Sequence, residues 1–198
     1  MSYLDEAIVK LREEQEQRER EWKVDLSKEQ IIYGETYQFV LTQFFEDCLE
    51  LMIPQEFIPM PEEQVENKYK MEQKPQVIMT NQNYRIDITL NLLEETITIE
   101  QIPLCLQKLK NTINEVYPAT MFFEEEQKEV NNTSVAYMDF KSFSLGGPIY
   151  NVMFVSKISN RLLVGTFNCP FTDWEQWRPV VVEMLETIQD SSQEEKGT

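Results

Sequence analysis

The residues best suited to chemistry in this chain are three cysteines (Cys48, Cys105 and Cys169), the carboxylate run Glu124, Glu125 and Glu126, and the pair Arg85 and Asp87. A nucleophilic cysteine needs a base or a positive neighbour to hold it as thiolate. The chain has no histidine, and Cys169, in "GTFNCPFTDWEQW", is followed by Asp173 and Glu175. Its thiol therefore reads as a small buried hydrophobe where a strand ends and a helix begins. The absence of histidine also removes Ser-His-Asp catalysis, imidazole-based zinc sites and the commonest general acid-base group. Three consecutive glutamates alternate faces on a strand and cannot converge on one ion. No calcium-loop spacing occurs, and "LGGP" lacks both the spacing and the lysine of a phosphate-binding loop. No catalytic residue, metal site or cofactor is expected. An enzyme built on this chain would have to use Cys169 or Cys48 as nucleophile, or its carboxylates.

The elements that carry these residues follow from periodicity. Residues 1–30 read as a charged helix with Leu4, Ile8 and Leu11 on one stripe. The stripe stops after three turns, so this segment either packs on the body or pairs with another copy. "YQFVLTQFF" and "DCLELMI" read as strands, the second stopped by Pro54. The span from Pro54 to Pro75 reads as an ordered loop with a short helix at 61–69, displaying Phe57 and Tyr69. In "NYRIDITLNLL", Tyr84, Ile86, Ile88, Leu90 and Leu92 alternate with Arg85, Asp87, Thr89 and Asn91, the pattern of a strand wet on one face. Arg85 and Asp87 then point the same way, either as a surface ion pair worth at most about 1 kcal/mol or as part of a partner-docking face.

A helix is predicted from Glu100 or Pro103 to Tyr117, with Cys105 inside it and Pro118 closing it. From Thr120 to Asn168, "TMFFEEEQ", "KEV", "TSVAYMDFKSFS", "IYNVMFVSK" and "RLLVGTFN" read as antiparallel strands joined by short turns. Thr172 and Glu175 have capping-box spacing for a last helix whose buried stripe is Trp174, Trp177, Val181, Leu185 and Ile188, with a kink or a second start at Pro179. Residues 31–190 thus form one α+β domain, and residues 191–198 read as a disordered tail.

Composition bounds the class. At 198 residues, with 41% hydrophobic and 11% aromatic content, the chain can bury a sizeable core as one domain. Its 18 basic against 35 acidic residues give a net charge of −17, which repels phosphates and anionic membranes. That excludes nucleic acid as a natural partner and leaves solubility or a basic protein partner as readings of the acidity. Cysteines without disulfide-like spacing fit a reducing compartment. With charges at Asp5, Glu6, Lys10 and Arg12 and no apolar run of roughly 18 residues, the expectation is a cytoplasmic protein without membrane insertion.

The order of elements, together with "ELMIPQEFIPMPEEQVENKY", "KPQVIMTN" and "YNVMFVSKISNRLLVGTFNCPFTDWEQWRPVVVEMLETI", resembles the superfamily of the photosystem II extrinsic protein PsbP and the Ran-binding nuclear import factor, and in particular its bacterial members. The resemblance covers about residues 34–190. It implies an antiparallel sheet flanked by helices, an α/β/α sandwich, and a role in binding; it carries over no catalytic residue. The resulting expectation is a non-enzymatic binding module, adaptor or chaperone-like. It would hold another protein with a basic or apolar segment through its sheet face or its proline-rich loop, with Arg85, Asp87, Phe57 and Tyr69 as contacts. Leu4, Ile8 and Leu11 would serve a partner or, in the competing reading, a self-assembling subunit.

Overall fold

The computed structural model describes residues 24–192. Its backbone is set by tight turns. Strands β8 (Met121–Val130), β9 (Thr133–Ser144), β10 (Gly147–Ile158) and β11 (Arg161–Pro170) follow one another through two-residue connections, each pairing antiparallel with the next. Ser159 and Asn160 both adopt positive φ (51° and 63°), the backbone a two-residue hairpin needs to match strand twist. β7 (Asp87–Thr96) lies against β11, β6 (Val77–Thr80) against β7 and β5 (Ile58–Pro59) against β6, giving the order β5-β6-β7-β11-β10-β9-β8. A smaller sheet has the order β12-β4-β3, from β3 (Phe39–Phe44), β4 (Leu49–Pro54) and β12 (Gln189–Asp190). β1 (Gln30–Ile32) and β2 (Glu35–Tyr37) form a separate hairpin.

Three helices complete the described residues: α1 (Glu62–Lys68), α2 (Ile102–Val116) and α3 (Trp174–Glu186). One face of the large sheet offers Ile88, Leu90, Phe154 and Phe167 to Trp177, Val181 and Leu185 of α3 and to Leu51 and Ile53 of the small sheet. Met138, Phe140, Val155 and Leu162 on the opposite face meet Ile102, Cys105 and Leu106 of α2. The expected helix–sheet–helix sandwich is therefore present, with its strand set close to the predicted one. "TMFFEEEQ" and "KEV" are a single strand, since the turn comes only at Asn131 and Asn132.

Four details differ from expectation. Tyr84 is not on β7; it adopts φ 59° in a turn where the Asn81 side chain accepts from the Arg85 and Ile86 N–H groups. β7 is not wet on its polar face, because Asp87 and Thr89 are buried. The Thr172–Glu175 box does not form. A 3-10 turn at Phe171–Asp173 delays the helix to Trp174, and the Thr172 hydroxyl donates to Asp173 instead. A reciprocal box does form at Thr98 and Gln101, ahead of α2. Finally, α3 runs unbroken through Pro179, whose missing N–H lies early in the helix and deletes only the bond to Glu175.

Close packing leaves one position where only glycine fits. Gly165 stands opposite Phe154 in the β10–β11 register, and a Cβ there would come within 2.0 Å of the Phe154 ring. Gly165→Ala is expected to lower stability by about 2 kcal/mol, read as a drop in Tm, and Phe154→Leu in the same chain should restore most of the loss.

Candidate functional site

The polar face of β7 is sealed from outside by the proline-rich loop. Asp87 is 0% exposed; its carboxylate accepts from the Thr80 hydroxyl at 2.6 Å and from the Tyr69 hydroxyl at 3.0 Å, and it pairs with the Lys68 ammonium. Burial, and then the Asp87 charge, push the Tyr69 hydroxyl far above its ordinary pKa, so it stays protonated and donating. α1 places Lys68, and the residue that ends it places Tyr69, so the helix predicted at 61–69 acts as a clamp on the sheet.

These contacts correct the sequence reading of the site. Asp87 pairs with Lys68, and Arg85 stands apart, exposed after the turn at Asn81–Tyr84. Phe57 is buried against Trp177, with ring centroids 6.4 Å apart, because the loop folds back onto the core. Tyr69 is half-buried with its hydroxyl turned inward. The four residues do not form one surface. Leu4, Ile8 and Leu11 lie outside the described residues.

The second polar cluster sits under α3. Arg178, only 8% exposed, reaches Asp139 on β9 at 3.0 Å and also pairs with Glu124, while the Tyr150 hydroxyl donates to the same Asp139 oxygen at 2.8 Å. Burial would favour neutral Arg178, but Asp139 and Glu124 outweigh it and raise its pKa. The glutamate run is exposed, as a solvated charge run would be, and each member also has a partner: Glu124 pairs with Arg178, Glu125 pairs with Lys110 and Glu126 accepts from Tyr137. A bulge between Phe122 and Glu125 breaks the simple alternation of faces.

Among the described residues no three His, Cys, Asp or Glu side chains converge as a metal site. The cysteines are free, with Cys105 and Cys169 buried and Cys48 half-buried. Burial, reinforced by Asp173, pushes the Cys169 thiol far above its ordinary pKa, which disfavours the thiolate that a nucleophile requires.

The concave surface that remains arises from a mismatch in length. A helix of 15 residues extends about 22 Å, whereas strands of 12 residues extend about 40 Å. α2 is buried deepest at its start, at Ile102, Cys105 and Leu106, is half-buried at Leu109 and Ile113, and is uncovered at its end, where Val116 is 60% exposed. Beyond it no described helix covers the sheet face, and a groove of about 590 Å³ remains. Its walls are Ile113, Val116 and Tyr117 of the α2 end, Phe143 of β9, and Met71 from the loop; Ser142, Asn151 and Thr166 make a polar strip on its floor. Met121, Phe143 and the fully exposed Leu145 extend the apolar surface toward the β9–β10 turn. The periodicity placed α2 and the strands; the groove depends on their relative lengths and on where the helix is anchored.

Two measurements check this geometry. Arg178→Met leaves Asp139 buried without its cation and should cost about 3–5 kcal/mol in chemical denaturation, with Asp139→Asn added to it recovering part of that. With a thiol reagent on the native protein at neutral pH, Cys48 should react rapidly, and Cys105 and Cys169 only on unfolding.

No family model matches the sequence, and no curated protein matches it. Among solved structures, the cyanobacterial PsbP (CyanoP) of Synechocystis sp. PCC 6803 superposes with a TM-score of 0.56 at 8% identity, over 77% of this chain and 92% of that one. LpqN, involved in cell envelope biogenesis of Mycobacterium tuberculosis, gives a TM-score of 0.48 at 14% identity, over 80% and 94% of the two chains. A Pseudomonas aeruginosa protein of unknown function described as a putative regulator gives 0.43 at 11%, over 75% and 94%. The architecture and the CyanoP superposition together establish that this chain has the PsbP-like fold.

Proposed function

We propose that this protein is a non-enzymatic binding module, adaptor or chaperone-like, that receives an apolar segment of another protein in the groove beside the end of α2. The observation that carries the reading is the groove itself: apolar walls at Val116, Tyr117, Phe143 and Met71 over a polar strip that offers hydrogen bonds to a peptide backbone. The resemblance to a superfamily of binding proteins supports the same class. The loop aromatics and the β7 polar face, turned inward, no longer serve as contacts in this reading.

Local charge refines the expected partner. Residues 67–123, which include α2, the end of the loop and one wall of the groove, carry six basic and six acidic side chains in a chain whose net charge is −17. The groove is framed by the neutral part of an acidic molecule, so an apolar, uncharged segment suits it better than a strongly basic one. In this reading the acidity elsewhere keeps the molecule soluble while one apolar surface stays open.

The test is capture of partners from native lysate by the full-length chain and by Val116→Asp and Phe143→Asp, with Leu104→Asp as a control at an exposed position of α2 outside the groove lining. Each groove variant should lose the captured partner at least about tenfold with Tm unchanged, while the control retains it. Equal capture by all four chains would refute the reading.

A further inference from the structure

The two larger sheets end on four strands, and three of those margins are guarded. β8 carries Glu124, Glu125, Glu126 and Glu129 and a bulge, the features that discourage strand-to-strand association. β5 and β12 are two residues long. β3, "FVLTQF", has no charge, proline or bulge, and its Val40 and Leu41 are 39% and 56% exposed.

Two hydrogen bonds fix which backbone groups of β3 face outward. The Met52 N–H donates to the Thr187 hydroxyl at 2.9 Å, away from β3, and the Gln55 N–H donates to the Gln38 carbonyl at 2.8 Å. Antiparallel pairs alternate between bonded and non-bonded positions. With Val40 opposite Ile53 and Leu41 opposite Met52, Val40, Thr42 and Phe44 direct their backbone groups to β4. Phe39, Leu41 and Gln43 direct theirs outward, where no described strand pairs with them.

We propose that β3 is a self-association strand: a second copy of this chain adds its own β3, antiparallel, across a two-fold axis through Leu41. Outward-facing residues then meet outward-facing residues, Leu41 against Leu41 of the partner subunit and Phe39 against the partner's Gln43, so the ladder bonds close in register. The two small sheets become one continuous sheet of six strands.

Charge argues for a second copy as the occupant. Two molecules of net charge −17 approach closely only where each is locally neutral, and Tyr37 to Phe45 is nine residues without a charge. The segment outside the described residues adds to this. Residues 1–23, with Leu4, Ile8 and Leu11, join the body at Val24, five residues before Glu29, whose carboxylate accepts from Gln38 at 2.7 Å beside the start of β3. Val24, where that segment joins the body in each copy, is thereby tethered within roughly 18 Å of Glu29 beside the paired strands.

Sedimentation equilibrium of the full-length chain across micromolar concentrations tests the proposal. The expected result is a concentration-dependent dimer, with the Leu41 and Gln43 amides gaining protection from hydrogen exchange as the dimer forms. Leu41→Pro removes an N–H that no bond among the described residues uses, and Leu41→Lys places like charges on the two-fold axis. Each should weaken association at least about tenfold with Tm held close to that of the parent chain. A monomer at every concentration overturns the proposal, as does a dimer that neither variant weakens. Leu41 protection in a monomer would assign the edge to the chain's own residues, and protection only on adding another protein would assign it to a different partner; either result also overturns it.

Discussion

Asp139 stands midway along β9, beside the edge strand of the large sheet, with 1% of its surface exposed, and a carboxylate in that position has to be matched or it destabilises everything around it. The match comes from three directions: Arg178 of α3, the Tyr150 hydroxyl of the neighbouring strand, and the N–H of Glu124 in the bulge of β8, at 2.7 Å. Apolar packing would hold α3 on the sheet in many rotations. The arginine permits one, and that choice fixes where Trp177 and Leu185 enter the core and where the small sheet can sit. The bulge in β8 belongs to the same constraint, because it turns the Glu124 N–H inward.

The same device recurs at two other joints. Asp87, on the opposite face of the sheet, gathers Thr80, Tyr69 and Lys68 and so holds the proline-rich loop down. Asp190 accepts from the Ser159 N–H at 2.9 Å, while its own N–H and C=O are taken by the Asn132 side chain. Each buried aspartate ties a covering layer to a strand end or a turn. Hydrophobic burial supplies the drive, and these polar pins supply the specificity of docking. The groove beside α2 lies where the covering layer runs out and where, among the described residues, no buried aspartate holds the end of the helix.

Legibility in the sequence followed the range of the interactions involved. The four hairpin strands, α2 and the buried stripe of α3 could be read because turn residues and periodicities of two and 3.6 are local signals. Asp87 was misread for a physical reason: alternation separates core-facing from opposite-facing residues, but it does not say whether the opposite face meets water or another layer. Phe57 was taken for a loop aromatic when the loop's path returns it to Trp177. Arg178 gave no signal at all, since an arginine in a polar helix position looks solvated until its strand partner, 39 residues away, is brought beside it. The groove was equally hidden, being the remainder when one element is shorter than the one it covers.

The small sheet takes β3 and β4 from residues 39–54 and its third strand from residues 189–190, and the Met52 N–H finds its acceptor in Thr187, 135 residues further along the chain. On a ribosome, the hairpins of the large sheet can pair as they emerge, since each strand's neighbour follows within two residues. The β3–β4 hairpin must wait with its apolar face uncovered until α3 and β12 have been made. Its exposure in that interval is a matter of translation time rather than of equilibrium stability.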